Sequence, residues 1–202
     1  MRDFRAGRDI RTSTSQDFLH WTDPVFLAYP GAPKEHLYTN AVQPYARAPH
    51  ILLGFPTRYV ERPWSPSMKT LPDPEHRQRR MKFHPRYGTT ITDGLLMTSR
   101  DGREFHRFDE AFLRPGPEGR DNWLYGDCYQ NLGLLETPLD DPTAAPELSI
   151  YMGENHWKGP IRVRRYTLRI DGNAVDKGAE IRAWGRRALV AWIVATPLAL
   201  AM

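Results

Sequence analysis

Thr14-Ser15-Gln16-Asp17-Phe18-Leu19-His20-Trp21 returns later in the chain as Thr98-Ser99-Arg100-Asp101-Gly102-Arg103-Glu104-Phe105, with Ser, Asp and an aromatic at identical offsets. Each copy runs through an apolar segment (Val25-Phe26-Leu27; Ala111-Phe112-Leu113) into Pro-Gly (Pro30-Gly31; Pro115-Gly116). A third match follows, Leu37-Tyr38-Thr39-Asn40-Ala41-Val42-Gln43 against Leu124-Tyr125-Gly126-Asp127-Cys128-Tyr129-Gln130. The three matches are collinear, at offsets of 84, 85 and 87 residues. A long internal period built from strands and turns is the mark of a radially repeated β architecture.

Composition agrees with that pattern. The 202 residues can bury one substantial core. Eighteen prolines, 15 glycines and 11% aromatics suit a β-rich, loop-rich protein better than a helical one. The net charge is +4, but the 28 basic and 24 acidic residues are interspersed. The densest basic run, Arg77-Gln78-Arg79-Arg80-Met81-Lys82, reads as a solvated loop, and no recognition motif accompanies it, so no nucleic-acid partner is expected. A single cysteine, Cys128, excludes an intrachain disulfide framework and a cysteine-rich zinc site. No two histidines have metal-ligand spacing, and neither metal nor cofactor is expected. Met1-Arg2-Asp3-Phe4-Arg5 is charged rather than a secretory signal, and the compartment stays open.

Alternation and turn signals divide the chain. Residues 9–14 and 21–27 read as two strands around a tight turn at 16–19. Residues 38–46 and 51–55 form the next pair, and 94–99 with 104–108 a hairpin around Arg100-Asp101-Gly102-Arg103. Strands at 125–135, 147–153 and 161–170 follow. The count is two strands, a complete group of four over 38–108, and three of a further group. Four antiparallel strands per repeat, with one turn type closing strands three and four, describe a propeller blade. The chain therefore reads as a piece of a larger protein, all-β over residues 1–172. A partial propeller exposes sheet edges, so alone it is expected to be a poor enzyme. Residues 57–90, with Pro63, Pro66, Pro72, Pro74 and Pro85, read as a long functional loop. Residues 173–202 form an atypical tail that turns Ala-rich and helix-favouring from 179. Its apolar stretch from 188 contains Pro197 and is too short for a membrane span.

The repeated Ser-x-Asp has a structural explanation: the Asp carboxylate accepts backbone N–H bonds within the turn, Gly102 supplies a positive φ, and the aromatic packs between sheets. Ser99-Arg100-Asp101-Gly102-Arg103-Glu104-Phe105 resembles the Asp-box of sialidase-like propellers. Ser15-Gln16-Asp17-Phe18-Leu19-His20-Trp21, with Leu19 in place of the box glycine, is more similar to the Ser-x-Asp-Phe-x-x-Trp turn of five-bladed glycosidases of families 32 and 43. Glu35-His36-Leu37-Tyr38-Thr39-Asn40, Gln43-Pro44-Tyr45 and Arg164-Arg165-Tyr166-Thr167-Leu168-Arg169-Ile170-Asp171-Gly172 resemble family-32-like glycosyl hydrolases of bacteria. The resemblance covers about residues 8–172. It implies a partial five-bladed β-propeller of about two blades and action on, or binding of, carbohydrate. The Trp-Met-Asn-Asp-Pro and Glu-Cys motifs of fructan hydrolases are not in the chain.

In a propeller, residues 35–40, 59–93, 122–127 and 154–157 go to one mouth of the channel. They are rich in the carboxylates, Asn, His and aromatics that sugar sites use. Glycoside hydrolysis takes two carboxyls across the scissile bond, and Asp127 and Glu154 are the catalytic candidates. Asp127 replaces Asn40 on an inner strand, and Glu154 lies in the polar–aromatic cluster Gly153-Glu154-Asn155-His156-Trp157. Glu35, Tyr38, Asn40, Asp93, Trp123, His156 and Trp157 are the candidate substrate-binding residues. Without two facing carboxyls, the same funnel describes a non-catalytic carbohydrate-binding or scaffolding propeller.

Overall fold

The computed structural model describes residues 8–120, 122–140, 145–154, 161–170 and 194–197. These are mostly β, in four antiparallel sheets, none closed into a barrel. The first sheet is a two-stranded ribbon of β1 (Arg11–Thr12) and β2 (Val25–Phe26). The next three strands of the chain are bent. β3 (His36–Tyr38) continues into β4 (Gln43–Tyr45), β5 (Ala48–Gly54) into β6 (Thr57–Val60), and β7 (Ile91–Gly94) into β8 (Met97–Ser99). Their first and second halves therefore fall in two sheets, ordered β3-β6-β7 and β4-β5-β8-β9, the last strand being β9 (His106–Arg107). The second of these is an up-and-down meander within the region expected to hold a complete group of four. The final sheet, β10-β11-β12-β13, is another meander: β10 (Tyr129–Thr137), β11 (Glu147–Glu154), β12 (Arg162–Arg169) and β13 (Val194–Pro197).

The bends have a backbone cause that the two repeats share. Thr39 (φ 20°) and Ala41 (φ 41°) enter the left-handed region, and so do their repeat partners Gly126 (φ 89°) and Cys128 (φ 58°). A residue with positive φ cannot continue a pleated strand, so each repeat turns at the same place. Gln43 and Gln130, the residues that end the two matches, both bond to a neighbouring sheet. Gln43 Nε2 reaches the Leu134 carbonyl at 3.5 Å, and Gln130 Nε2 the Pro56 and Leu95 carbonyls at 3.2 and 3.0 Å. The Gln130 side chain also fills the space above Gly94, where an added Cβ would meet its Nε2 at 2.6 Å.

Packing follows from the alternation of side chains across a strand. Leu95 and Leu96 point to opposite sides of the middle layer. Leu95 packs with Ile10, Leu27, Leu37, Met97 and Phe105, toward the first ribbon. Leu96 packs with Phe55, Leu113, Cys128, Ile150 and Met152, toward the last sheet. Residues 91–97 are consequently buried without interruption. The sheets stack face to face in chain order, the middle layer covered on both sides.

Both Ser-x-Asp turns form the same five hydrogen bonds. Ser15 and Ser99 donate to Asp17 and Asp101 Oδ1 at 3.1 and 3.0 Å, and their own oxygens accept the backbone N–H groups two and three residues on, those of Asp17 and Phe18 or Asp101 and Gly102. Each carboxylate then accepts from two further amides, those of Leu19 and His20, or Arg103 and Glu104, at 2.8–2.9 Å. The left-handed position is Phe18 (φ 61°) in one turn and Gly102 (φ 71°) in the other. The glycine equivalent in the first turn is thus Phe18, not Leu19. Phe105 is 1% exposed between layers, as expected, but Trp21 is 55% exposed and rests edge-on against Phe18. Its ribbon has no described sheet on that side.

Two expectations are corrected. Residues 57–90 are not one loop: β6 begins the segment, and three short helices follow, α1 (Pro66–Lys69), α2 (Pro74–Met81) and α3 (Arg86–Thr89). Asp73 caps α2, accepting from the His76 N–H at 3.1 Å, and Pro74 occupies the first turn, where a missing N–H costs nothing. The basic run is this helix, with Arg77 fully buried and Arg80 nearly so. Arg77 donates to the carbonyls of Pro72, Gly119, Asn122 and Trp123 at 2.9–3.2 Å, stapling α2 to the segment before Tyr125. The helix expected from residue 179 is also contradicted where the chain is described: 194–197 is the strand β13, paired antiparallel with β12. The edge of β12 decides this locally, overriding propensity. The rest of the tail lies outside the described residues.

Candidate functional site

Cross-strand register sorts the polar residues of β3, β6 and β7 onto two faces. His36 stands opposite Tyr59 and Leu37 opposite Arg58, while Arg58 stands opposite Asp93 and Tyr59 opposite Thr92. One face therefore carries His36, Tyr38, Tyr59 and Thr92, and the other Leu37, Arg58 and Asp93.

The first face is a tyrosine platform completed by other segments. Tyr38 lies 5.8 Å from Tyr59, 6.3 Å from Tyr125 and 6.2 Å from Tyr129, ring centroid to centroid. Tyr87 of α3 stacks on Tyr125 at 5.4 Å, and His36 tilts against Tyr59 at 5.4 Å. Tyr125 is hydrogen-bonded through its side chain to both Tyr38 and Tyr129. Burial first, and then the neighbouring Tyr125, pushes the Tyr38 phenol up to about 12, and the Tyr129 phenol rises for the same reasons. Both are neutral at ordinary pH and offer O–H donors. Two guanidiniums lie over the rings: Arg8 is 4.9 Å from the Tyr38 centroid, and Arg86 is 5.2 and 5.5 Å from those of Tyr125 and Tyr87. Tyr59 is buried; the other platform tyrosines are half-buried and Arg8 is exposed.

The opposite face is a charge network. Arg58 pairs with Asp93 through two parallel bonds and with Glu35 Oε1 at 3.0 Å, and Arg107 reaches Glu35 Oε2 at 2.9 Å. Arg107, 1% exposed at its side chain, also donates to the Pro33 carbonyl. Glu35 and Asp93 are thus brought together, but by arginines and away from the tyrosine face.

Asp127 precedes Cys128 in the chain, and Glu154 ends β11, whose Gly153 stands opposite Tyr129 of β10. Asp127 is 2% and Glu154 8% exposed. Burial, followed by the charges of Asp127, Glu154 and Asp93, pushes the Cys128 thiol far up, so it does not supply a thiolate nucleophile. The Asp127 backbone is fixed by Thr92, whose hydroxyl donates to the Asp127 carbonyl and accepts from the Gly126 N–H at 3.1 Å. Glu154 Oε1 accepts from Arg164 Nε at 2.8 Å and Tyr166 Oη at 3.3 Å.

The other sequence candidates fall as follows. Asn40 is exposed, and its Oδ1 accepts from the Val42 N–H at 3.1 Å, an Asx turn at the bend. Trp123 is half-buried, with its indole N–H donated to the Gly116 carbonyl at 3.0 Å. His156 and Trp157 lie outside the described residues. Tyr59, Tyr87, Tyr125, Tyr129, Arg8 and Arg86 were not singled out from sequence. The signal that could have found them is the repeat itself, since Tyr38 and Tyr125 are equivalent positions. Among the described residues, no three His, Cys, Asp or Glu side chains are grouped to hold a metal ion, and no helix is long and apolar enough to cross a membrane. Compared with known proteins, the chain matches no family model, no curated protein and no solved structure.

Proposed function

We propose that the chain is part of a five-bladed β-propeller of the glycosidase type and that it handles carbohydrate at the tyrosine platform. The fold half of this reading is supported by the consecutive meanders stacked in chain order, the shared bends and the identical Asp turns. The observation that carries the function is that Tyr38 and Tyr125, equivalent in the repeat, meet ring to ring beside Tyr59, Tyr87 and Tyr129. Aromatic faces with neutral hydroxyls suit the apolar face and hydroxyl rim of a sugar.

Hydrolysis in this reading belongs to Asp127 and Glu154, the two carboxylates next to Cys128. In this reading Glu154, ion-paired with Arg164 Nε at 2.8 Å, is the nucleophile or general base and Asp127 the general acid. Glu35 and Asp93, held by Arg58 and Arg107, set the platform strands rather than touch substrate. That pairing also supports a second reading, a non-catalytic carbohydrate-binding propeller, because three of four candidate carboxylates are engaged by arginines.

Titration of the full chain with neutral and acidic oligosaccharides, followed by calorimetry, tests the proposal. Binding that is lost in Tyr125→Ala with unchanged far-UV circular dichroism supports it, and no binding across the panel overturns it. Turnover of aryl glycosides that is abolished by both Glu154→Gln and Asp127→Asn supports the hydrolase; binding without turnover supports the binding module.

A further inference from the structure

The arginines of this protein divide into those answered by a carboxylate or by carbonyls and those that are not. Arg47, Arg58, Arg107, Arg114, Arg120, Arg164 and Arg165 each lie within ion-pair distance of an Asp or Glu. Arg77 and Arg80 donate to backbone carbonyls. Several arginines have neither among the described residues, and of these Arg8 and Arg86 sit over the platform tyrosine rings. The Nε of Arg86 is buried with no hydrogen-bond partner among the described residues, and its guanidinium is otherwise bonded to the Tyr87 phenol. The two cations lie over neighbouring rings, Arg8 over Tyr38 and Arg86 over Tyr125, whose centroids are 6.3 Å apart.

They are also held in place. The Arg8 carbonyl accepts from the Leu37 N–H at 2.9 Å, fixing that residue beside β3. Arg86 opens α3, which the Thr90 N–H to Arg86 carbonyl bond at 3.1 Å closes. The nearby acids do not cancel this charge at the surface: Glu35 and Asp93 are matched by Arg58 and Arg107 on the opposite face, Glu154 by Arg164, and Asp127 is buried. A half-buried aromatic surface with phenol donors and two unmatched guanidiniums is complementary to a ligand with a flat apolar face and a planar anion.

We infer that the tyrosine platform takes an acidic saccharide, its ring on Tyr38 and Tyr125 and its carboxylate between Arg8 and Arg86. This rests on the carbohydrate reading above and narrows it to uronic-acid sugars. The test is calorimetry of the full chain with oligogalacturonate, oligoglucuronate and oligomannuronate, each against its carboxyl-reduced counterpart, with sodium sulfate as a bare-anion control. At least one acidic oligomer should bind about tenfold or more tighter than its reduced form, with the gap narrowing as salt rises. Arg86→Gln and, at the exposed position, Arg8→Gln should each shrink that preference, with the circular dichroism unchanged. Equal binding of acidic and reduced forms overturns the inference and leaves the carbohydrate reading standing. Sulfate binding without saccharide binding, or no binding at all, overturns both.

Discussion

Arg58 grips Asp93 with both prongs of its guanidinium, Nε to Oδ1 at 2.9 Å and Nη2 to Oδ2 at 2.8 Å, across directly paired positions of β6 and β7. The third nitrogen bonds Glu35 and the Asp109 carbonyl. Side chains at 14% and 10% exposure make this a mostly buried, bidentate pair, the kind that is costly to break on one side only. Asp93→Ala should therefore lower stability by about 2–4 kcal/mol, read as a shift in the urea midpoint. Saccharide binding at the platform should survive under native conditions, because Asp93 lies on the other face. Lost binding with unchanged stability would place Asp93 in the site instead.

Arg77 presents a different energetic case, a buried cation that donates to four carbonyls. Arg77→Met fills similar volume but leaves those acceptors unpaired, and should cost more than about 2 kcal/mol. The staple holds Gly119, Asn122 and Trp123, so trypsin should cut at Arg120 at least several-fold faster in the variant than in the wild type.

The two Asp turns should show in the acid limb of stability. Hydrogen bonds from His20, then from the His20 and Leu19 amides, hold the Asp17 carboxyl well below the usual range, and the Arg103 and Glu104 amides do the same for Asp101. A carboxyl depressed on folding contributes stability that is complete above its unfolded pKa of about 3.9 and is lost as pH falls through the lower folded value. Asp17→Asn with Asp101→Asn should lower stability at pH 7 and flatten its dependence below about pH 4, measured by urea unfolding at stepped pH. An unaltered acid limb would show that these turns form no such bonds.

Equivalent positions should respond in opposite directions. Phe18 and Gly102 share a left-handed backbone, which costs an ordinary residue roughly 1 kcal/mol and a glycine almost nothing. Gly102→Ala should destabilise by about 1 kcal/mol, while Phe18→Gly should be neutral or slightly stabilising despite losing the Trp21 contact. Thermal unfolding of the two variants checks the sign.

The hairpins and the Asp turns were legible because alternation, Gly and Ser-x-Asp act locally, within a few residues. The platform was not, and the reason is specific. Pro63 to Pro85 were read as strand breakers across 57–90, whereas Pro66 and Pro74 occupy first turns of helices and Asp73-Pro74 is a helix start. With that segment treated as loop, Tyr59, Arg86 and Tyr87 had no fixed address. Tyr38 was found because it repeats; Asp127 precedes Cys128 in the chain, and Glu154 comes to the same end of the sheet through the pairing of β10 with β11, where Tyr129 stands opposite Gly153. The bend at Asn40 was similarly hidden, since neither Thr39 nor Ala41 is a residue type that announces positive φ.

Gln130 occupies the volume that any side chain at position 94 would need, and spends its amide donors on Pro56 and Leu95. Neither position can drift alone: a methyl at 94 evicts the amide, and a shorter residue at 130 abandons two carbonyls and opens a hole. Mutational drift at this spot must therefore pass through a simultaneous double replacement or not happen. In descendants of this sequence, positions 94 and 130 should be inherited as a single character, while the neighbouring surface diverges freely.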